Sequence, residues 1–595
     1  MKSALYLVLA SAAIVCLAQV LPEFYVTLAA YIGLSAIVCL GLVLLTGICG
    51  LTSFGQAAFV GLGAYATAIA TLQFGLSPWV GLLLSVIVAG LSGLLIGIVT
   101  LQLSGHYLPL GTIAWSVSLY MVSGNLQSIG GHTGLTGIPP LAIGHYVLDT
   151  ARGFLPLICG CLLLVAWSCR NILDSRAGRG MRAINGRSVM AEGMAINTFN
   201  YKLIVFVYAA ILAGVSGWLY AHFQRFVNPT PFGLHMGIEY LFMIVIGGLS
   251  SVGGAILGAG IVTLLHQWLG DLLPVLLGQS GQFETIVFAV VTIAFLRYAP
   301  SGVWPLALEF ARKLSRAGQV ERAVPGACES NSVVAWGGLS ATDAVSPILE
   351  VKDIRKEFGG LVAVNRVTFS VGTGEIVALI GPNGAGKSTM FNLISGVLRA
   401  TSGRVEFMGQ RIDTASSRAI AAAGIARTFQ HVKLIDDRPV IENVMIGAHR
   451  FGRCGFIRNA LRLDRKEEHQ LTRQALTALK QVGLRDFAQR PSGQLSLGQQ
   501  RIVEIARALT LRPTLLLLDE PAAGLRHQEK QQLAQLIREL KTTGMTVLLV
   551  EHDMEFVMNL ADKIVVMEYG EKIADGVAEE IQRDPRVLEA YLGVA

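Results

Sequence analysis

The stretch GPNGAGKSTM, residues 381–390, decides how this chain is read. EIVALI (375–380) before it is a short apolar run of buried-strand type, and STMFNLISGVL (388–398) after it reads as a helix. Strand, G-x-x-x-x-G-K-S and helix, in that order, form a phosphate-binding loop. Across Gly381, Pro382, Asn383, Gly384, Ala385 and Gly386 the glycines let backbone N–H groups close around phosphates. The helix start adds a field that favours negative charge. Lys387 reaches the outer phosphates, the Ser388 hydroxyl is placed to coordinate Mg²⁺, and Thr389 completes the nucleotide-binding set.

A second element follows at TLLLLDEPAAGL (514–525). Four leucines make a buried strand ending at Asp519, whose carboxylate can hold the Mg²⁺ shell. Glu520 comes next and suits the orientation or deprotonation of an attacking water.

The rest of the chain has a different character. Of 595 residues 53% are hydrophobic and 15% charged, and mean hydropathy is +0.56. Long apolar runs fill the first three hundred residues. A crossing helix needs about 20 apolar residues. Candidate spans lie near 4–22, 25–47, 54–73, 78–101, 107–125, 153–169, 202–222, 237–268 and 283–298, giving eight to ten crossings. IGGLSSVGGA inside 237–268 predicts two shorter helices or a re-entrant hairpin shielded by other helices. Residues 1–21 read as a retained first span rather than a cleaved signal, because a second apolar segment follows at once. The fold class expected is an all-α polytopic membrane domain over 1–305, a linker over 306–347 and an α/β nucleotide-binding domain over 348–595.

The net charge of +7 does not signal nucleic acid, because arginines cluster beside apolar spans, where the positive-inside bias puts them. Segment 170–200, with Arg170, Arg176, Arg179, Arg182 and Arg187, is therefore expected in the cytoplasm. So is everything after Arg297, Arg312, Lys313 and Arg316. The cation-poor, Gly- and Pro-rich 126–152 fits an external loop. The linker opens as a basic amphipathic helix suited to a lipid surface. The eight cysteines show no CxxC pair and read as buried thiols.

Between the two nucleotide elements lies GQLSLGQQRIVEIARAL (493–509). Leu495, Ser496, Leu497, Gly498 and Gln499 resemble the LSxGQ signature of ABC transporters. That resemblance implies ATP as the nucleotide and a second ABC ATPase subunit meeting this one head to tail. Ser496 and Gly498 would touch the γ-phosphate held by the partner's loop. Gln430 in GIARTFQ is similar to the family's Q-loop glutamine, which senses Mg²⁺. His552 in LLVEHDM resembles the switch histidine, and Phe358 in KEFGG takes the place of the aromatic that stacks on adenine, a core aromatic being the alternative. One position departs: Arg526 stands where the family has Asp or Asn, which puts coupling between two ATP sites in question.

The membrane half carries its own resemblance. TGICGLTSFGQAAFVGLGAYATA (46–68), GGHTGLTGIP (130–139), SRAGRGMRAINGRSVMAEGMAINTFNYKLIVF (175–206) and NPTPFGLHMGIEYLFMIVIGGLSSVGGAILGA (228–259) look like the permease of branched-chain amino acid importers. The tail VVMEYGEKIADGVAEEIQRDPRVLEAYLG (565–593) is similar to the ATPase subunit of the same systems. A fusion of both subunits is implied, in the bacterial inner membrane. Its implied partners are a second permease, a second ATPase and a periplasmic substrate-binding protein. The expected function is ATP-driven import of branched-chain amino acids, with urea, short amides or other amino acids as alternative cargo. Arg176, Arg179 and Arg182 mark the candidate coupling loop, against the alternative of a solvated loop. Glu239, ionisable inside an apolar stretch, is a functional candidate or an internally paired carboxylate. His106 at a span boundary faces interface water. Two rivals differ in class. A half-exporter needs long polar loops that only 170–200 offers, and against a non-transporting ABC machine, in which ATP drives mechanical signalling to a partner, stands the full-length permease resemblance.

Overall fold

The structure is a computed structural model and describes residues 12–16, 18–102, 107–277, 283–299, 301–314 and 347–592. About half of the expected span 4–22 and most of the linker 306–347 lie outside the described residues, and His106 and Arg316 lie wholly outside. The chain forms two compact units that do not follow one cut in the sequence. One holds the apolar helices together with Phe456–Leu463, and the other holds Arg182–Thr198 with the remainder of the nucleotide-binding half.

In the first unit, five helices among the described residues are long and apolar enough to cross a membrane. They are Glu23–Ile48, Pro78–Thr100, Ala151–Leu173, Thr198–Gln224 and Val252–Leu272, and Gln56–Leu72, Leu234–Gly247 and Ile286–Phe295 are shorter apolar helices. Glu23–Ile48 is the most enclosed, with Val38, Cys39, Leu40 and Leu42 fully buried, and it finishes in a π-helical turn over Val43–Ile48. The 237–268 stretch is two helices, Leu234–Gly247 and Val252–Leu277, as its glycines foretell. A Cβ on Gly258 would sit 1.9 Å from the Met243 carbonyl oxygen, and one on Gly247 1.9 Å from that of Gly254. Only glycine lets the two backbones meet, so the pair forms a close hairpin. Asn171 Nδ2 donates to the Ala460 carbonyl at 2.9 Å and the Phe456 ring meets Tyr208 edge-on at 5.4 Å, which binds Phe456–Leu463 into this unit. Segment 126–152 contains a small hairpin, Leu141–Ile143 with Tyr146–Leu148.

The second unit is built on a six-stranded sheet. Its spatial order is Ile425–Arg427, Leu515–Asp519, Thr546–Val550, Ile376–Ile380, Lys563–Glu568 and Glu571–Gly576. All neighbours are parallel except the last pair. Strands covered on both faces need continuous apolar runs, and Leu515–Leu518 and Val547–Val550 are fully buried accordingly. A second, antiparallel sheet orders Leu361–Val371, Leu349–Phe358, Ser402–Phe407 and Gln410–Arg411. In the parallel sheet Ile376–Ile380, Leu515–Asp519 and Thr546–Val550 are neighbours, and the phosphate loop, Glu520 and Glu551 follow directly on their C-terminal ends. Ligands of open parallel sheets bind at that edge.

Candidate active site

The phosphate loop leaves the buried strand Ile376–Ile380 and enters the helix Lys387–Ile394. Gly386 has φ +94°, and a Cβ there would lie 2.4 Å from the Ala363 carbonyl oxygen; one on Gly381 would lie 2.0 Å from that of Met567. The loop's course is open to glycine alone at both points. Lys387 Nζ donates to the carbonyls of Gly381 and Pro382 at 2.7 and 2.9 Å. Burial holds the Lys387 ammonium below its usual range, opposed by the nearby charge of Glu520.

Phe358, Asn383, Gly384, Ala385, Gly386, Lys387, Ser388, Thr389, Gln430, Glu520 and His552 line one cavity of about 760 Å³. Most residues expected to bind nucleotide and to act on it thus converge across more than 190 positions of sequence, Phe358 to His552, while Gly381, Pro382 and Asp519 do not line the cavity. Phe358 is 46% exposed, which removes the core-aromatic alternative, and Lys356 Nζ stands 4.9 Å from its ring centroid.

Glu520 is the hub. Its Oε2 accepts a hydrogen bond from Gln430 Nε2 at 2.9 Å, and its Oε1 lies 3.0 Å from His552 Nε2. Glu520 has φ +46°, a conformation that costs a non-glycine residue about 1–3 kcal/mol and clusters at functional sites. Its N–H donates to the Val550 carbonyl at 2.9 Å, which fixes the turn.

Two neighbours carry no role in the sequence reading. Arg427 Nη2 donates to Asp519 Oδ2 at 2.7 Å, while its Nη1 donates to Asn392 Oδ1 and Ser395 Oγ at 2.7 and 2.8 Å. Both Arg427 and Asp519 are buried. Glu551, 2% exposed, accepts the Ala522 N–H at 2.5 Å and the His552 N–H at 3.1 Å, so it joins the turn after Glu520 to the turn that carries His552. Burial pushes its carboxyl above the usual range. The signals are an arginine ending one apolar strand and a glutamate directly after another.

The signature residues lie elsewhere in the unit: none of Leu495, Ser496, Leu497, Gly498 and Gln499 lines the cavity. Ser496 caps the helix Leu497–Thr510. Its Oγ accepts the Gln499 N–H at 3.3 Å, and Gln499 Oε1 accepts the Ser496 N–H at 3.1 Å, a reciprocal capping box. A Cβ on Gly498 would meet Glu529 Oε1 at 2.6 Å. Arg526 precedes the helix His527–Thr542, and its N–H donates to Glu529 Oε2 at 3.0 Å.

Of the three loop arginines, Arg176 begins the helix Arg176–Ile184, while Arg179 and Arg182 are 5% and 9% exposed, so neither is solvated. Arg182 Nη1 stands 3.9 Å from Glu442 Oε2. The following short helix, Ser188–Gly193, buries Met190 and Ala191, and Val189 and Gly193 share a cleft with Arg427 and Phe429.

The high-affinity branched-chain amino acid transport ATP-binding protein BraF of Pseudomonas aeruginosa is 42% identical over 252 residues, covering 42% of this chain and 99% of that protein. LivG of Escherichia coli K12, with the same description, is 41% identical over 252 residues at the same coverage. This chain belongs to the branched-chain amino acid ABC transporter family. Within that family it unites two components. Residues 24–296 match the branched-chain amino acid transport system permease component, 364–523 the ABC transporter domain, and 571–595 the branched-chain amino acid ATP-binding cassette transporter family. As an ABC transporter it carries its own ATPase domain, fused behind a permease domain of apolar helices. Among solved structures, a nucleotide-free ATP-binding cassette from an ABC transporter is 34% identical and covers 42% of this chain and 100% of its own, with a TM-score of 0.38. An ADP conformation of such a cassette is 35% identical at the same coverage and TM-score.

Proposed function

We propose that this chain is the fused permease and ATP-hydrolysing subunit of an importer that draws branched-chain amino acids across the bacterial inner membrane. The membrane domain over 1–305 and the nucleotide domain over 348–595 are joined by the linker 306–347, with the ATPase in the cytoplasm. The observation that carries the reading is the convergence of Gln430 and His552 on Glu520 in the cavity of the phosphate loop, in one chain with permease helices.

The roles follow from geometry and charge. Backbone N–H groups of residues 383–389 and Lys387 cradle the phosphates, and Phe358 offers a ring to the base. Glu520 orients the attacking water and takes its proton, and Gln430 and His552 hold the two carboxylate oxygens in place. Ser388, Gln430 and Asp519 offer the hard oxygen donors that Mg²⁺ prefers. When bound, that ion supplies neutralisation of phosphate charge. A second ABC ATPase subunit, presenting its own signature, completes the site, as the separation of Ser496 and Gly498 from this cavity favours. Arg182 beside Glu442, and Ser188–Gly193 beside Phe429, support 170–200 as the transmission contact. A second permease and a periplasmic binding protein complete the assembly.

The test is radiolabelled leucine accumulation in proteoliposomes holding the chain, its co-purifying partners and the binding protein. Accumulation that requires ATP and disappears in Glu520→Gln is expected. ATP-dependent uptake of urea or short amides without leucine would overturn the cargo, and absence of any nucleotide-dependent uptake would overturn the importer.

A further inference from the structure

We propose that the membrane unit contains a binding site for a small solute bearing an ammonium group beside an aliphatic side chain, with Glu239 receiving the ammonium. The proposal deepens the importer reading and rests on it for the identity of the solute.

The site is an open cleft of about 480 Å³ lined by the helices Glu23–Leu42, Leu234–Gly247 and Val252–Leu277. That volume is within the range of small-molecule pockets. The three helices are apolar along most of their length, yet each turns polar side chains to this place. Glu239 is the only acid in Leu234–Gly247, and Asp271 the only acid in Val252–Leu277. Both line the cavity, with Tyr31, Ser35, His266 and Gln267. On Val252–Leu277 the lining positions 263, 266, 267, 270 and 271 form one face. Leu264, Trp268 and Leu272 on another face are exposed and apolar. A helix bathed in hydrocarbon on all sides would gain nothing from that division, because an ionisable group at membrane depth is costly unless it meets partners, water or a ligand.

The chemistry is specific. No lysine or arginine lines the cavity, which holds two carboxylates. Glu239 is 12% exposed at its side chain. His235 Nε2 and His266 Nδ1 approach the same oxygen, Oε1, at 3.1 and 3.8 Å. No hydrogen bond to Oε2 is formed by any described residue. Leu28, Met236, Met243 and Val262 supply the apolar wall. An acid with one uncommitted oxygen, histidines that orient it and an aliphatic wall suit an ammonium on a branched hydrocarbon. A carboxylate alone meets no lysine or arginine there.

The experiment uses the full chain with its co-purifying partners and two probes, isoamylamine and 4-methylpentanoate, which carry the ammonium and the carboxylate separately. In the wild type, modification of Glu239 by a hydrophobic carbodiimide, read by mass spectrometry, is expected to slow at least about tenfold with saturating isoamylamine and not with 4-methylpentanoate. Isoamylamine binding is expected to weaken about tenfold or more in Glu239→Gln, the loss of one charge-assisted bond, and to recover in part in Glu239→Asp. Equal protection by both probes, or unprotected Glu239, overturns the site, and needs no variant to fold. If the wild type accumulates no leucine yet isoamylamine protects Glu239, the cargo reading fails and the site stands. If leucine accumulates and isoamylamine gives no protection, the site fails and the cargo reading stands.

Discussion

His552 Nε2 lies 3.0 Å from Glu520 Oε1, and the carboxylate's other oxygen accepts from Gln430. Glu520→Gln keeps the shape of the side chain and removes the proposed base. Steady-state ATP hydrolysis is expected to fall about 10²–10⁴-fold, the range of general-base contributions, with nucleotide affinity retained. Phosphate release and fluorescent-nucleotide binding on one preparation separate these. His552→Ala, which frees one carboxylate oxygen, is expected to lower turnover less than Glu520→Gln.

Arg427 and Asp519 are buried together, and removing one leaves the other charge uncompensated. Arg427→Met is expected to destabilise the ATPase domain by about 3–5 kcal/mol and to weaken nucleotide-dependent stabilisation. The double substitution Arg427→Met with Asp519→Leu should recover part of the thermal midpoint while remaining inactive. A midpoint of Arg427→Met equal to the wild type would show that the pair contributes little.

Glu551 gives a pH signature. Its folded-state carboxyl titrates above the ordinary value of 4.5 because burial disfavours the charge, and nearby Glu520 adds to the effect. The folded chain therefore binds more protons than the unfolded chain as pH rises from 4.5, and stability falls with pH over that window. Glu504 is raised by burial as well and acts in the same direction. Glu551→Gln should flatten the decline of the unfolding midpoint above pH 4.5. An unchanged slope would remove Glu551 as its source.

The short gap between Arg182 and Glu442 offers a charge-reversal test of coupling. Arg182→Glu places like charges together and is expected to lower leucine uptake several-fold while ATP hydrolysis continues. Adding Glu442→Arg should restore part of the uptake. Equal uptake in all three chains would leave the arginine without a transmission role.

Legibility in the sequence followed the range of the interaction. The phosphate loop, the Asp519–Glu520 turn and the capping box at Ser496 are local, because each needs a strand, turn or helix whose signals lie within about ten residues. The helix break at Gly247 and Gly248 was legible for the same reason. Arg427 was not, since its partner Asp519 lies 92 positions on and only the parallel pairing of Ile425–Arg427 with Leu515–Leu517 brings them together. Nor was the exchange of Arg182–Thr198 and Phe456–Leu463 between units, which depends on surfaces no local pattern encodes. Glu239 stood out by cost alone, while its neighbours His266 and Asp271 became visible only in the folded hairpin.

The helix Leu497–Thr510 has one more property. Arg501 donates to the carbonyls of Phe429 and Gln430 at 2.8 and 2.5 Å, and Arg507 to that of Lys433 at 2.8 Å. Glu504 accepts the Lys433 N–H at 2.8 Å and pairs with Arg507 at 2.9 Å, both side chains being buried. The strand of backbone bearing Gln430 is thus clasped along its length by the rod whose tip is Ser496. Four polar contacts along one face tie the segment at 429–433 to this helix. If Gln430 meets one nucleotide and Ser496 a second, as proposed above, this clasp is the shortest covalent and hydrogen-bonded route between the two.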